Sequence, residues 1–254
     1  MVDVYKFFNE VYYKTYRPNE PEERNRSEAE FIIDALELAP PAKVLDVGCG
    51  YARHAVYLAM AGFDVVCVDA SEYLLGKAIE RIREYGVEDR VEIIKGDIRW
   101  LNLPQEYDAA YMFFTAFGYF DDEGNLSVLR GMASSLKPGG RFLIDVWNPY
   151  RVVENMGRVG GSIKTWYESG GYTILEECVM EPEEPVFHLT RRYMDESSRL
   201  VEVKSINVRI YFPWEFREMF REVGLKLVKI YGDYRKNVFK FDSPRMVVIG
   251  IREG

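Results

Sequence analysis

The residues best suited to chemistry form a glycine-containing turn that is followed by an acid. The segment Asp46-Val-Gly48-Cys-Gly50 ends a short apolar run, and Asp69 lies 19 positions beyond Gly50. Glycines let a ligand approach the backbone closely, where side chains would block it. A carboxylate at the end of the next strand can accept two hydrogen bonds from a ribose diol. The pattern predicts a site for an adenosine-containing cofactor, although a dinucleotide fingerprint would want a third glycine where this chain has Arg53.

Further motifs follow at matching places along the chain. Asp97 comes after a third predicted strand, where its carboxylate can accept a hydrogen bond from an adenine amine and the Ile98 N–H can meet a ring nitrogen. The sequence Lys-Pro-Gly-Gly at 137–140 precedes a fifth strand, and a helix and two strands close the chain. As a set, these motifs over residues 27–149 and 213–251 resemble the class I S-adenosylmethionine-dependent methyltransferases.

The resemblance implies a role for each motif. It places the glycine turn beside the methionine moiety of S-adenosylmethionine, Asp69 on the ribose, and Asp97 with Ile98 on the adenine. No metal site is predicted. The predicted cofactor-binding residues are Asp46, Gly48, Cys49, Gly50, Arg53, Asp69, Ala70, Asp97, Ile98 and Phe114.

Four residues near the turn have competing interpretations. Arg53 could bridge to the cofactor carboxylate or to an acid near it, or it could face solvent at the start of a helix. Cys49 and Cys67 are interpreted as small core residues rather than nucleophiles, because the motif positions no base beside them. His54 is expected to be a packed or backbone-bonded histidine rather than a base.

Strands and helices alternate through the first part of the chain. A helix is predicted to start at Ser27, with Glu30 completing a capping box, and Arg53 to Ala61 and Asp122 to Leu136 are also read as helices. The predicted strands are 43–47, 63–69, 91–95, 107–114 and 141–147. Repeated strand–helix units form a parallel sheet covered by helices, which binds ligands at the carboxyl ends of its strands. The resemblance implies an α/β, Rossmann-like sheet of seven strands whose last strand is antiparallel.

The pattern changes after strand five. Residues 150–165 look irregular, Asn148-Pro149 reads as a turn, and three later segments read as strands. They predict a small antiparallel β insertion within a single domain, 1–254. The predicted parts are an N-terminal cap segment (1–26), a cofactor-binding core (27–149), the β insertion or substrate cap (150–212), and a closing helix and hairpin (213–254).

The segment Thr115-Ala-Phe-Gly-Tyr-Phe120 and the place of the insertion make the layout similar to small-molecule N-methyltransferases. Enzymes of the family that methylate base amines carry an Asn/Asp-Pro-Pro-Tyr/Phe motif where this chain reads Phe-Phe-Thr-Ala, so that activity is disfavoured. An acceptor amine can lose its proton to a tyrosine or carboxylate, or bind neutral. The predicted catalytic residues are Tyr16, Tyr119 and His188, with Tyr13 and Asp145 as further candidates at the rim; lid packing is the alternative role of the aromatic ones.

Composition narrows the function classes. The formal net charge of −8 disfavours duplex nucleic acid and anionic membranes as partners. Three cysteines without metal-ligand spacing, and a start without a signal-peptide pattern, predict a cytoplasmic protein. We predict an S-adenosylmethionine-dependent methyltransferase that acts by in-line transfer on a small-molecule amine or hydroxyl, and that could form a homodimer. The alternatives are an adenosine-cofactor oxidoreductase on a dinucleotide-binding fold and a non-catalytic S-adenosylmethionine-binding protein.

Overall fold

The computed structural model describes residues 4–254, so the first three residues of the predicted cap segment lie outside the described part. A seven-stranded sheet forms the centre, in the order β10-β11-β5-β4-β1-β2-β3. Its strands are β1 (Lys43–Val47), β2 (Asp64–Asp69), β3 (Val91–Lys95), β4 (Tyr107–Met112), β5 (Leu136–Trp147), β10 (Leu225–Tyr231) and β11 (Arg245–Arg252). Strand β11 runs antiparallel to both of its neighbours, β5 and β10, and the other pairs of adjacent strands in this sheet are parallel. The predicted seven-stranded sheet with an antiparallel last strand is confirmed.

Strands β1 and β4, near the centre of the sheet, carry apolar side chains on both faces because helices cover both faces of the sheet. In β1, Leu45 pairs with Val66 of β2 on one side and Ala110 of β4 on the other, and all three are buried. The covering helices are α3 (Glu22–Ala35), α4 (Ala55–Met60), α5 (Glu72–Glu84), α6 (Asp122–Ser135) and α8 (Pro213–Glu222). The chain leaves β1 toward β2 but reaches β4 on its other side, which opens a crevice at the carboxyl ends of these strands.

Several predicted boundaries are wrong. Helix α3 begins at Glu22, five residues before Ser27, because Pro21 and two glutamates in the first turn make a better start for the helix dipole. Helix α4 begins at Ala55 rather than Arg53, after a turn. Strand β4 ends at Met112, since Phe114 has a φ of 60° that no strand continues. The Lys-Pro-Gly-Gly segment bulges out of the start of β5, where the pairing jumps from Leu136 to Arg141.

The insertion is larger and more regular than predicted. Residues 149–158 form helix α7 (Pro149–Arg158), which the later glycines of the segment had obscured. Asn148 is its N-cap rather than a simple turn residue, with its side chain accepting from the Tyr150 N–H at 3.1 Å. Four antiparallel strands follow instead of three: β6 (Ser162–Ser169), β7 (Tyr172–Val179), β8 (Val186–Met194) and β9 (Leu200–Arg209).

One face of the inserted sheet packs against two N-terminal helices, α1 (Val4–Phe7) and α2 (Glu10–Tyr16). Val4 and Phe7 share an apolar cluster with Leu189 and Ile206 of the insertion. Lys204, buried at 5% exposure, donates from Nζ to the Phe7 carbonyl at 2.8 Å and also contacts the Asn9 side chain. We call α1 and α2 the N-terminal arm. Within residues 4–254, no helix is long and apolar enough to cross a bilayer.

Candidate active site

The glycine turn lies at the carboxyl ends of β1 and β2. The N–H groups of Gly48 and Cys49 donate to the Val68 carbonyl at 2.8 and 3.2 Å, which fixes the turn to the neighbouring strand. Gly48 has a φ of +76°, and a Cβ there would lie 3.2 Å from the Ala116 side chain. Both the left-handed backbone and the tight space therefore require glycine. Predicted residues Asp46, Gly48, Cys49 and Gly50 all line one cavity.

Asp69 lines the same cavity and is hydrogen-bonded to the glycine turn. Its two carboxylate oxygens accept from the N–H groups of Gly50, at 2.9 Å, and Ser71, at 2.8 Å. Each oxygen keeps a second lone pair for a ligand. Burial raises the pKa of Asp69, and Ala70 lines the cavity beside it. The carboxylate is thus held rigidly where a strand-end acid can meet a diol.

Asp46 lies deeper in the same cavity and is 3% exposed. Its Oδ2 accepts from the Tyr111 hydroxyl at 2.6 Å. Burial raises the pKa of Asp46 to about 7, an effect that the Tyr111 hydrogen bond opposes. This carboxyl group therefore changes its protonation state near neutral pH.

Arg53 is buried, which rules out the solvent-facing interpretation, and its contacts are with nearby acids; a role on the cofactor carboxylate stays a prediction. Its Nη1 donates to Asn25 Oδ1 at 2.8 Å and to the buried Glu28, while Nε lies 3.7 Å from Glu20. The remaining nitrogen, Nη2, is buried without a hydrogen-bond partner. Because Arg53 and Glu20 both line the cavity, an unsatisfied donor and a carboxylate of opposite charge stand side by side there.

His54 and the cysteines are structural, as predicted. His54 is buried against Phe113 with Nε2 2.9 Å from Glu28, so its partner is a side chain and not the backbone. Burial lowers its pKa to about 4. Cys49 and Cys67 are buried, and burial and the neighbouring acids raise the pKa of the Cys49 thiol. The cysteine thiols therefore lack the thiolate that a nucleophile needs, and the ring of His54 is occupied by Glu28 and packed against Phe113.

The adenine side of the prediction is met only in part. Ile98 lines the cavity. The Asp97 carboxylate lies outside the lining and is engaged by Arg99, through the backbone N–H at 2.9 Å and through Nη2 at 2.6 Å. The role of Asp97 on the adenine stays a prediction, and it requires Asp97 to share its oxygens with Arg99.

Aromatic side chains cover the cavity. Phe114 forms part of the wall beneath the guanidinium of Arg53, 4.9 Å from its ring centre, and Tyr119 and Phe120 continue the wall. Tyr5, Phe8 and Tyr12 enter from the N-terminal arm. Sequence reasoning missed Glu20 and Tyr51 as lining residues, because nothing in their spacing relates the segment before α3, or the residue after Gly50, to the ligand.

The three predicted catalytic residues lie in different places. Tyr119 lines the cavity. Tyr16 stands behind it: its ring stacks on Tyr12 at 4.3 Å, and its hydroxyl accepts from Arg191 at 2.8 Å. His188 lies on β8, 2.9 Å from Asn207 through Nδ1, and is not among the cavity lining residues. The structure brings only Tyr119 directly to the glycine turn.

The two further candidates are also set back. Asp145 is fully buried and accepts from both Nε and Nη2 of Arg245 at 2.8 Å, from the Phe114 N–H and from the Tyr234 hydroxyl. These four hydrogen bonds tie Asp145 to Arg245, to Tyr234 and to the backbone after β4, away from the cavity. Tyr13 packs edge-on against Tyr51 at 5.2 Å, outside the cavity lining.

A second, larger cleft adjoins the first. It measures about 780 Å³, against about 100 Å³ for the cavity at the glycine turn with the arm in place. The two spaces share Val4, Tyr5, Tyr119 and Phe120 as a common wall. The far side of the larger cleft comes from α6 and the insertion, so only a thin aromatic partition separates a turn-side cavity from an open space.

Comparison with known proteins connects this geometry to a family. The family described as a methyltransferase domain matches residues 44–140, which contain the glycine turn, Asp69 and Ile98. The glycine/sarcosine N-methyltransferase of Halorhodospira halochloris is 27% identical over 236 residues, covering 91% of this chain and 82% of that protein. The match places a methyltransferase domain at residues 44–140, and over most of its length the chain is similar to S-adenosylmethionine-dependent methyltransferases. The cypemycin N-terminal methyltransferase of a Streptomyces species, 25% identical, covers 81% of each chain.

Solved methyltransferase structures share the fold. CcbJ from Streptomyces caelestis aligns with a TM-score of 0.78 at 24% identity, over 92% of this chain and 91% of the other. The sugar N-methyltransferase KedS8 from Streptoalloteichus aligns with a TM-score of 0.70 at 19% identity, over 100% and 94%. Both alignments extend over the insertion as well as the methyltransferase sheet. The oxidoreductase and non-catalytic alternatives are not favoured by these matches.

The residues of the cavity fit S-adenosylmethionine. Arg53 Nη2 is a buried donor without a partner, as a carboxylate would need, and Glu20 beside it suits an α-amino group. The cavity is smaller than the roughly 300 Å³ of small ligand pockets, because arm side chains project into it. Three residues of the N-terminal arm, Val4, Tyr5 and Tyr12, are among the lining residues of this cavity.

Proposed function

We propose that the enzyme transfers the methyl group of S-adenosylmethionine to a nitrogen atom of a small-molecule amine. The single observation that carries the proposal is the shared aromatic wall: a cavity with the chemistry for the cofactor adjoins a cleft large enough for an acceptor. The names of the curated relatives, which include N-methyltransferases for glycine, sarcosine and a peptide N-terminus, support nitrogen over oxygen.

The residue roles follow from their positions. Arg53 holds the carboxylate of the cofactor, and Glu20 its amino group. Asp69 accepts the ribose hydroxyls while Gly50 and Ser71 keep its carboxylate oriented. Ile98 and Ala70 contact the adenosine portion, and Gly48 and Cys49 lie against the methionine chain.

S-adenosylmethionine, when bound, supplies a methyl group attached to a positively charged sulfur. The aromatic wall excludes water from the transfer, which suits a step in which charge is dispersed. Burial raises the pKa of Tyr119 above that of a free phenol. Tyr119 is therefore protonated at neutral pH and orients the acceptor rather than taking its proton. A neutral amine attacking through its lone pair gives a methylated ammonium product, so the chemical step needs no general base.

Turnover with matched acceptors tests the proposal. Formation of S-adenosylhomocysteine would be measured with an amine and with the alcohol of the same carbon skeleton, and the methylated atom identified by mass spectrometry. We expect N-methylation of the amine and no reaction of the alcohol. A Tyr119→Phe variant should keep cofactor affinity and lose turnover. The control variant Tyr172→Phe, on the insertion, should keep both cofactor affinity and turnover. Methylation of oxygen alone would contradict the proposal.

Three features of the whole protein belong to the same proposal: its acceptor cap, its location in the cell and its oligomeric state. We infer that the N-terminal arm and the insertion form the acceptor cap of a single domain, supported by their mutual packing. A cytoplasmic location is supported by three buried cysteines that form no disulfide in the described chain. A homodimer through an open edge of the inserted sheet remains a hypothesis that sedimentation would test.

A further inference from the structure

The arginines of the larger cleft are already neutralised. Arg99 forms a bidentate pair with Asp97, with the nearest contact at 2.6 Å, and Arg209 pairs with Asp122 at 3.1 Å and with Glu215. Both guanidinium groups also lie over aromatic rings, Arg99 over Phe120 at 4.6 Å and Arg209 over Tyr211 at 4.4 Å. A carboxylate entering the cleft would find no arginine free to bind it.

Two acids of the same cleft have no cationic partner among the described residues. Glu184 lies in the loop between β7 and β8, and its carboxylate forms no ion pair or hydrogen bond there. Asp121 caps helix α6 by accepting from the Gly124 N–H through Oδ1, which leaves Oδ2 available. The lining acids and the acids paired to the lining arginines are Asp97, Asp121, Asp122, Glu184 and Glu215. Three of these acids, Asp121, Asp122 and Glu184, line the cleft together with Arg99 and Arg209, and each arginine is also paired with an acid just outside the lining, so the cleft favours a cation.

The size of the cleft argues against a very small acceptor. Its volume of about 780 Å³ lies toward the upper end of ordinary ligand pockets, which span roughly 300–1,000 Å³. An amino acid the size of glycine would leave most of that volume filled with water.

We propose that the acceptor is a di- or polyamine-like molecule: one neutral amine reacts at the Tyr119 wall while a second, charged amine binds near Glu184 and Asp121. The inference rests on the proposed function and specifies its substrate class. It also follows that glycine and sarcosine, whose carboxylates oppose this charge, are poor acceptors, although relatives are named for them.

Matched acceptors test the charge requirement. Methyl transfer by the full-length enzyme would be compared for spermidine, cadaverine, pentylamine and glycine. Cadaverine and pentylamine share a five-carbon chain and differ in the second amine. We expect kcat/KM for the two polyamines to exceed that for pentylamine and glycine at least tenfold, and the advantage to shrink with added salt. Equal or higher values for glycine or pentylamine would overturn the inference.

Variants of the two acids locate the effect. Glu184→Gln and Asp121→Asn should reduce the preference for cadaverine over pentylamine several-fold; asparagine still caps a helix, so α6 is preserved. Glu183→Gln changes the neighbouring acid outside the cleft and should leave the preference intact. An unchanged preference in both cleft variants would also overturn the inference. Calorimetry with S-adenosylhomocysteine separates the two claims: binding with a glycine preference defeats only the acceptor class, whereas absence of binding defeats the proposed function.

Discussion

Gly48 carries two constraints at once, a left-handed backbone and a contact with Ala116. Gly48→Val should abolish binding of S-adenosylhomocysteine, because the branched side chain distorts the turn and occupies the approach to the ligand. The measurement is calorimetric affinity, with the melting temperature recorded in parallel.

Gly86 provides the matched control. It also has a positive φ, of +65°, but it ends α5 at the surface with no atom within 4 Å of a built Cβ. Gly86→Val should cost stability through backbone strain alone and keep cofactor affinity. If both variants bound the ligand as tightly as the parent, the glycine turn would have no role in binding.

Asp46 links the site to pH. Its pKa is raised to about 7 in the folded protein, above the roughly 3.9 of an unfolded aspartate. Between these values the folded state holds more protons, so this group's contribution to stability is full at low pH and is lost as pH rises toward 7. The melting temperature of Asp46→Asn, compared with that of the parent at each pH, should therefore improve from pH 4 to pH 8. A difference that stays constant or moves the other way would show that Asp46 is not held protonated by burial.

The sequence predicted the residues of the turn better than the residues around them. Gly48, Gly50 and Asp69 belong to contiguous motifs, whose spacing is fixed by one strand–turn–helix unit. The partners of Arg53 come from α3, which precedes the sheet, and no local pattern tells that Glu28 will face it. Asp97 shows the opposite case, since its motif was visible but Arg99, two residues on, occupies its oxygens.

At the scale of elements, one lysine anchors the N-terminal arm to the insertion. Lys204 is buried and donates to Phe7 and Asn9. Lys204→Met keeps the length of the side chain but removes these hydrogen bonds, so the arm should open more often. We expect faster tryptic cleavage at Lys14 and several-fold slower methyl transfer.

The control is Lys164→Met, on the outer side of the same sheet, whose side chain is 72% exposed and pairs only with Glu177. It should change neither proteolysis nor turnover. If both variants lost activity, or if neither did, the contact between Lys204 and the N-terminal arm would have no specific role in methyl transfer.

Element boundaries were predictable where a cap or a strand is strongly marked. Ser71 caps α5, because its hydroxyl accepts from the Leu74 N–H at 3.2 Å. Helix α7 was missed because one glycine lies in its last turn and two more follow closely, yet Asn148 as the N-cap and Pro149 as the first residue form a normal helix start. The four-stranded insertion was underestimated because β6 is exposed along most of its length, which leaves no alternation between apolar and polar residues to read.

At the scale of the whole molecule, the arm and the insertion together cover a core that would form its sheet without them. Deletion of residues 1–16 removes α1 and α2 but leaves Glu20 in place. If the arm covers the reaction, methyl transfer should slow at least tenfold, about 1.4 kcal/mol of barrier, and the cofactor should exchange faster. Unchanged turnover in a folded deletion variant would instead favour an interface role for the insertion. The melting temperature checks that the variant is folded.

Calorimetric titration of the purified enzyme with S-adenosylhomocysteine, repeated with Asp69→Ala, tests the central claim most directly. We expect one molecule of S-adenosylhomocysteine bound per chain and no binding of NADH. In the Asp69→Ala variant we expect the binding free energy to fall by roughly 2–4 kcal/mol, because two charge-assisted hydrogen bonds to the ribose disappear. Asp64→Ala, at the exposed opposite end of β2, should bind as the parent does. Binding of NADH in place of S-adenosylhomocysteine, or an Asp69→Ala affinity within about twofold of the parent (roughly 0.4 kcal/mol), would contradict the assignment of this cavity.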